Sequence, residues 1–529
     1  MVMSKNPTRK LDPTDNEKFP ADVLNELNIC YRVCFKFVQK EIEDDDDKDV
    51  CVCNKLRESH KDRSYPEKED VKWTMEQNTK ERIKPVHGIL PNGALYLRLA
   101  MDTPNEKVAR LLFDVWRIRK PRLIMSIIGG AKYFTLSDRL ESNFINGITE
   151  VALKSDAWLI TNGDNAGIVH LVGQAINKVK FTKLNRHITA IGLCKWGSIK
   201  DVETLTKLDK KESEKSDKMR DGDDGRFRFY DTKDYRTQLC LQLAKLQHET
   251  DLPLPVVTIV VEGDKDTITN MYYDLCDNIP VIIIDGSGGV ADFFKRWLLY
   301  TKEVDKASKD SEFLHGINEF LEIGQVTTCT PLQPKNDHDS RTCLNVQLKR
   351  HPTKLQELFE KYHKRLKEDL KLVISNDDDL SKGKKSSYAP DDNPSSTKSI
   401  QLDETLRQVM YCLQPAVRSG IAVFNLNSDD NLSETIFRTV CKSRQKYFER
   451  KERDENETME RSLRTYKPQP TADVKQHHVD SRRHVNRRDQ NAQRSQLLKL
   501  AMNWNCIDIA KELILQNSLD NILVRMINS

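Results

Sequence analysis

The stretch Leu123-Ile124-Met125-Ser126-Ile127-Ile128-Gly129-Gly130-Ala131-Lys132 is an apolar strand that runs straight into two glycines. A second stretch has the same form: Ala157-Trp158-Leu159-Ile160-Thr161 runs into Asn162-Gly163-Asp164-Asn165-Ala166-Gly167, and the helical run Ile168 to Ala175 follows. A strand that ends in glycine and then opens a helix leaves backbone N–H groups without an intrahelical partner. The missing side chains let an anion approach those groups. Residues 122–175 therefore read as one continuous nucleotide-cradle unit of an α/β fold.

The same alternation extends from about Val71 to Tyr300. Leu95–Ala100, His187–Cys194, Pro255–Val261 and Val281–Ile284 read as strands, and Glu106–Arg119, Tyr235–His248 and Thr267–Cys276 as helices. Strands alternating with helices imply a parallel sheet covered on both faces, with ligands gathered beyond the carboxyl ends of the strands. Two further glycine corners fall there, Glu262-Gly263-Asp264-Lys265-Asp266-Thr267 and Asp285-Gly286-Ser287-Gly288-Gly289. Each alone is an ordinary strand-to-helix turn. Four on one rim point to a nucleotide or phosphate pocket.

Side chains near the corners suit such a ligand. Lys132 is placed to neutralise a phosphate, and Asp285 either accepts from a ribose hydroxyl or caps the next helix. Tyr230 offers a face for a base and Arg236 a fork for a pyrophosphate. For all of these the bland alternative is ordinary packing or solvation. Catalytic machinery is missing: no Ser/His/Asp arrangement, no paired carboxylates in the corners and no metal-ligand helix can be placed. Glu262 and Asp266 are the nearest acids. A binding site without acid or base chemistry points to sensing, so no enzyme is expected.

Composition sets the bounds. The 529 residues allow roughly two to four domains at ~150 residues each. The 85 basic and 81 acidic residues leave a net charge of only +4, which is not the field of a nucleic-acid binder. The basic stretch Arg482 to Arg488 lacks interleaved aromatics and reads as a solvated linker. No apolar run reaches the ~18–20 residues of a membrane-spanning helix, and Met1 to Asn16 is too polar for a secretory signal. Twelve cysteines without an export signal read as reduced cytosolic thiols.

Along the chain, residues 1–70 form a polar, partly disordered segment, with apolar residues at helical spacing from Val23 to Ile42. It contains Cys30, Cys34, Cys51, Cys53 and His60. The single residue between Cys51 and Cys53 departs from the two-to-four spacing of zinc hooks, so buried free thiols and no metal are expected. Residues 71–300 form the α/β domain, interrupted by a charged insertion at Lys207 to Asp224. Residues 301–400 hold helical stretches at Glu312–Leu321 and Leu355–Val373, then a linker rich in Ser, Asp, Pro and Lys at Asp377 to Lys398. Residues 401–529 read as a helical repeat region. Leu402–Gln414 opens it, a polar insertion runs from Lys451 to Arg494, and Leu497–Ile527 closes it as one helix pair.

At this point a resemblance becomes close. Pro121 to Ala175 with its two glycine corners, Ile191-Gly192-Leu193-Cys194-Lys195-Trp196-Gly197, Val260-Val261-Glu262-Gly263, and Asp285-Gly286-Ser287-Gly288 with Ala291-Asp292 resemble the N-terminal homology region of melastatin-type transient receptor potential cation channels. Leu497-Leu498-Lys499-Leu500-Ala501-Met502-Asn503-Trp504-Asn505-Cys506-Ile507-Asp508-Ile509-Ala510 is similar to the signature of that family's helical repeats. The resemblance implies a Rossmann-like, SLOG-type α/β domain followed by an all-α, ankyrin-like repeat region. These would assemble with other channel subunits as a homotetramer on the cytoplasmic side of the plasma membrane. A six-helix pore for Ca2+ or other cations would lie beyond Ser529, and no resident cofactor is implied.

One branch of that family binds ADP-ribose in this cleft. Carried over, Gly129, Gly130 and Lys132 would lie near the phosphates, with Tyr230 and Arg236 at the base and phosphate side and the Asp266-Thr267 turn completing the site. Phe229 is the alternative stacker. Asn162, Gly163, Gly263, Gly286, Ser287 and Gly288 belong to the same set of corners. The chain departs from that branch at Gly289, where an arginine stands, at Asn162, where a glycine stands, and at the 207–224 insertion. SLOG-like folds also include nucleotide phosphoribohydrolases, the competing reading. Their threonine and paired glutamates would fall at Gly263 to Asn270, where the glutamates are missing. A third reading is a pore-less interaction module for channel subunits.

Overall fold

The computed structural model describes residues 2–3, 27, 29–39, 51–53, 56–63, 74–82, 86–90, 93–130, 138–163, 166–182, 187–194, 234–245, 253–301, 362–374, 395–425, 431–444, 495, 497–499, 501–502 and 506–511. They fall into two compact units, one of Met1–Ile127, Ser142–Val257 and Leu432–Ser529, the other of Ile128–Glu141 and Thr258–Asn431.

The first unit contains β1 (Val2–Met3), β2 (Tyr31–Cys34), β3 (Thr79–Arg82), β4 (His87–Ile89), β5 (Leu95–Leu97), β6 (Ile124–Gly129, as far as Ile127), β7 (Trp158–Thr161) and β8 (Thr189–Gly192). Six apolar residues and Ser126 suffice to explain its centre. Every residue from Ile124 to Ile127 and from Trp158 to Ile160 is buried, as expected of parallel strands covered on both faces. The order is β6-β7-β8-β1-β5-β4, parallel from β6 to β8 and antiparallel from β8 to β4. Its helices include α1 (Asn105–Arg110), α2 (Asp138–Ser155, from Ser142 onward), α3 (Gly167–Thr182) and α4 (Tyr235–Lys245). Ile168, Val172, Ala175 and Val179 are the buried face of α3, at helical spacing.

The second unit contains β9 (Val256–Val261, from Thr258), β10 (Val281–Asp285) and β11 (Ile421–Asn425), in that order and parallel. Between the strands come α5 (Lys265–Cys276), α6 (Gly289–Tyr300), α7 (residues 362–374) and α8 (Ser395–Cys412). One core joins them: Met271 and Leu275 from α5, Phe293 and Trp297 from α6, Leu366 and Leu370 from α7, and Leu406 and Val409 from α8.

A further helix, α9 (residues 432–444), returns to the first unit. A Cβ on Gly147 of α2 would lie 3.1 Å from Leu432, so the glycine sets how closely α9 approaches, and Arg444 donates to the Pro253 carbonyl.

Three expectations are corrected. The stretch from Val23 to Ile42 holds a strand, β2, which pairs antiparallel with β3 from Tyr31↔Arg82 to Cys34↔Thr79. The all-helical expectation beyond residue 401 fails at β11, whose Ile421 to Asn425 pair with Val281 to Asp285. Cys34, Cys51 and Cys53 are free cysteines whose side chains converge with that of His60. Within the expected linker, Ser395 to Lys398 already belongs to α8.

Downstream of α9, the described residues include a helical turn at Ile507–Ala510, which does not by itself make an ankyrin-like array. The readings for Glu312–Leu321, residues 207–224, residues 377–394 and the basic stretch at 482–488 lie outside the described residues.

Candidate functional site

Three of the four glycine corners lie in the second unit, and they interlock. Gly129 has φ +110, and a Cβ there would collide with the Val261 carbonyl, so only glycine lets the end of β6 pass that close to β9. Beyond Val261 the chain turns through Glu262 at φ 57 and Gly263 at φ 93. The carbonyls of this turn accept from the first turn of α6: Ala291 N donates to Glu262 O at 2.8 Å and Val290 N to Gly263 O at 3.2 Å. Ser287 bridges the same corners, receiving the Glu262 N–H at 2.8 Å and donating to the Ile284 carbonyl at 2.6 Å.

The helix starts carry their own acceptors. Asp264 is the N-cap of α5, and its Oδ1 accepts from Thr267 N at 3.0 Å while Thr267 Oγ1 accepts from Asp264 N at 3.1 Å. This reciprocal pair is a capping box, and it buries Thr267. At the start of α6, Asp292 Oδ1 accepts from Gly286 N at 2.8 Å. The amides of Gly288 and Gly289 have no partner among the described residues. Two open amides at the start of a twelve-residue helix are what an anion would meet.

Charge works in the opposite direction. Glu262, Asp264 and Asp292 all belong to these corners, and a Cβ on Gly289 would lie 2.9 Å from Glu262 Cγ. Asp285, at the end of β10, is buried and pairs with Lys295 at 3.1 Å. Asp266, in the first turn of α5, is exposed, and its carbonyl accepts from Asn270.

The remaining candidates are placed elsewhere or not described. Asn162 and Gly163 are in the first unit. A Cβ on Gly163 would lie 3.1 Å from Gly192, so that corner is fitted against the exit of β8. Arg236, also in the first unit, is buried in α4, where it donates from Nη1 to Ser126 Oγ at 2.7 Å. Gly130, at φ 67, follows Gly129, whereas Lys132, Tyr230 and Phe229 lie outside the described residues. Sequence reading quoted Asp264 and Asp292 but gave neither a role. The first was legible, because an aspartate three residues before a threonine at a helix start is capping-box spacing.

Residues 94–328 match the family model described as SLOG in TRPM. The mouse transient receptor potential cation channel subfamily M member 2 is 28% identical over 303 residues, which is 50% of this chain and 20% of that protein. The subfamily M member-like 2 protein of Nematostella vectensis is 26% identical over 303 residues, covering 50% of this chain and 19% of its own length. Human subfamily M member 6 is 27% identical over 274 residues, covering 46% of this chain and 14% of that protein. The alignments span about a fifth or less of these relatives. They bear out the resemblance to the N-terminal region of melastatin-type channels and the SLOG-type α/β domain. Among the described residues, no helix is long and apolar enough to cross a membrane.

Proposed function

We propose that the chain is the regulatory and assembly region of a melastatin-type cation channel, held on the cytoplasmic side of its membrane. Its interlocked glycine corners seat a nucleotide of the ADP-ribose class. The observation that supports the ligand is the pair of open amides at Gly288 and Gly289, set among glycines whose positive φ angles keep side chains out of the way. A nucleotide that binds one arrangement of the assembled region better than another would shift the gating equilibrium by that difference, typically about 1–3 kcal/mol.

Calorimetry with ADP-ribose on the whole chain tests the ligand. We expect weak binding in the wild type and binding roughly three- to tenfold tighter in Asp292→Asn. That variant keeps an acceptor for Gly286 N but removes a negative charge beside the phosphate. Absence of heat and of any thermal shift with both proteins at millimolar ligand would overturn the nucleotide seat.

A specific observation favours a second reading, a subunit-docking scaffold without ligand. Asp264 and Asp292 already supply acceptors at both helix starts. Co-purification with full-length channel subunits and no response to nucleotide would favour it. The phosphoribohydrolase reading gains nothing, since Thr267 is engaged in the capping box.

A further inference from the structure

The N-terminal part of the first unit contains a constellation unrelated to the glycine corners. Cys34 ends β2, Cys51 lies in a bridge with Gln39, Cys53 lies in the turn that follows, and His60 follows the short 3-10 turn Arg57–Ser59. The three Sγ atoms and a His60 ring nitrogen all lie within 4.8 Å of one another. Tetrahedral Zn2+ with Zn–S bonds of about 2.3 Å places its ligand atoms about 3.8 Å apart, so modest closure would fit the ion. Cys34, Cys51 and His60 are buried and Cys53 is half-buried.

The surroundings are arranged as ligands require. His60 Nδ1 faces the Leu56 carbonyl at 3.0 Å, which fixes the tautomer and leaves Nε2 for a metal, and Nε2 lies 3.1 Å from Cys53 Sγ. Val38 N donates to Cys51 Sγ at 3.4 Å, a bond that strengthens when the sulfur is a thiolate. Phe37 packs edge-on against the imidazole, with ring centroids 5.8 Å apart, and excludes water from one side.

Among the described residues, Cys34, Phe37 and Cys51 form one buried cluster, with Cys53 partly buried against it. An ion held by side chains from three chain segments would add to that packing.

We propose that Cys34, Cys51, Cys53 and His60 form a closed structural Zn2+ site. All four positions of the tetrahedron come from the protein, with no opening for water or substrate, so the ion's role is architectural. Binding replaces three thiol protons: one Zn2+ and three thiols with a neutral imidazole give a trithiolate–imidazole complex of net charge −1 and three released protons. The one-residue spacing of Cys51 and Cys53 is no obstacle, because both sulfurs lie within 4.8 Å of Cys34 Sγ and the His60 ring nitrogen, which arrive from separate segments. The clamp fixes the end of β2, hence its register with β3 and the ion pairs of Arg32 with Glu81 at 2.8 Å and Asp102 at 2.7 Å.

The test uses the whole chain, purified under reducing conditions without chelator. Elemental analysis should find one zinc per chain. Exchange for Co2+ should give thiolate-to-cobalt charge transfer and the intense visible bands of a tetrahedral site. Cys53→Ser should weaken zinc binding at least tenfold, whereas Cys240→Ser, a buried cysteine of α4, should keep one full equivalent. If Cys53→Ser does not fold, the cobalt spectrum of the wild type decides. Zinc-free protein that takes up no Co2+ with thiolate bands, or undiminished zinc in folded Cys53→Ser, would overturn the site.

Discussion

Arg418 closes the far end of α6 by donating from Nη1 to both the carbonyl oxygen of Thr301 at 2.8 Å and its hydroxyl at 2.9 Å. Nη2 adds a bond to the Leu298 carbonyl at 2.5 Å. The guanidinium is buried, so a cation satisfies the last carbonyls of a helix whose dipole points its negative end there.

Replacing Arg418 with Ala should destabilise the protein by about 2–3 kcal/mol, the usual loss for buried bonds to a charged donor. Arg418→Lys should recover less than half, because one ammonium cannot reach three acceptors in a fixed fork. Urea unfolding followed by tryptophan fluorescence would measure both, and a wild-type midpoint for the alanine variant would contradict the capping role.

A contrast between two glycines separates strain from entropy. Gly129→Ala places a Cβ against the Val261 carbonyl at φ +110 and should cost more than about 2 kcal/mol. Gly173 is exposed within α3 and a Cβ there meets nothing within 4 Å, so Gly173→Ala should stabilise by about 0.5–1 kcal/mol. Opposite shifts in thermal midpoint are expected.

Thr258 and Asp274 form a fully buried pair, Oγ1 donating to Oδ2 at 2.8 Å. Thr258→Val keeps the shape but removes the donor, and should cost about 1–3 kcal/mol. An unchanged denaturation curve would show that Asp274 does not depend on this bond.

Alkali should weaken the fold through Cys441. Burial pushes its thiol up from 9.0 to about 12, because the thiolate is poorly solvated there. The folded pKa lies above the unfolded one, so the stabilisation is complete below pH ~9 and is lost as pH rises towards 12, at up to about 1.4 kcal/mol per pH unit. Cys441→Ala should flatten this part of the stability profile. Equal slopes for wild type and variant between pH 9 and 11 would count against it.

What the sequence made legible followed burial. β6, β7, β9 and β10 are runs of apolar residues enclosed on both faces, so their residue types alone announce them. β11 is different: Phe424 is its one buried residue and its neighbours along the chain are helices, so a periodicity reading passes over it. β2 exists through pairing with β3, a long-range relationship that local propensity does not encode. At the site, glycines betrayed the corners, since positive φ leaves few other choices. The acids that fill the helix starts act through hydrogen bonds, and the burial of Arg236 against Ser126 depends on two segments far apart in sequence. The sulfur cluster was set aside on spacing, which measures distance along the chain and not in space.

The parallel pairing of β10 with β11 also sets a schedule for synthesis. A ribosome delivers Val281–Asp285 long before Ile421–Asn425, so the nascent strand waits with a bare flank of hydrogen-bonding groups. Expression fragments that stop at Tyr300 inherit the exposure permanently and should precipitate by strand addition between molecules.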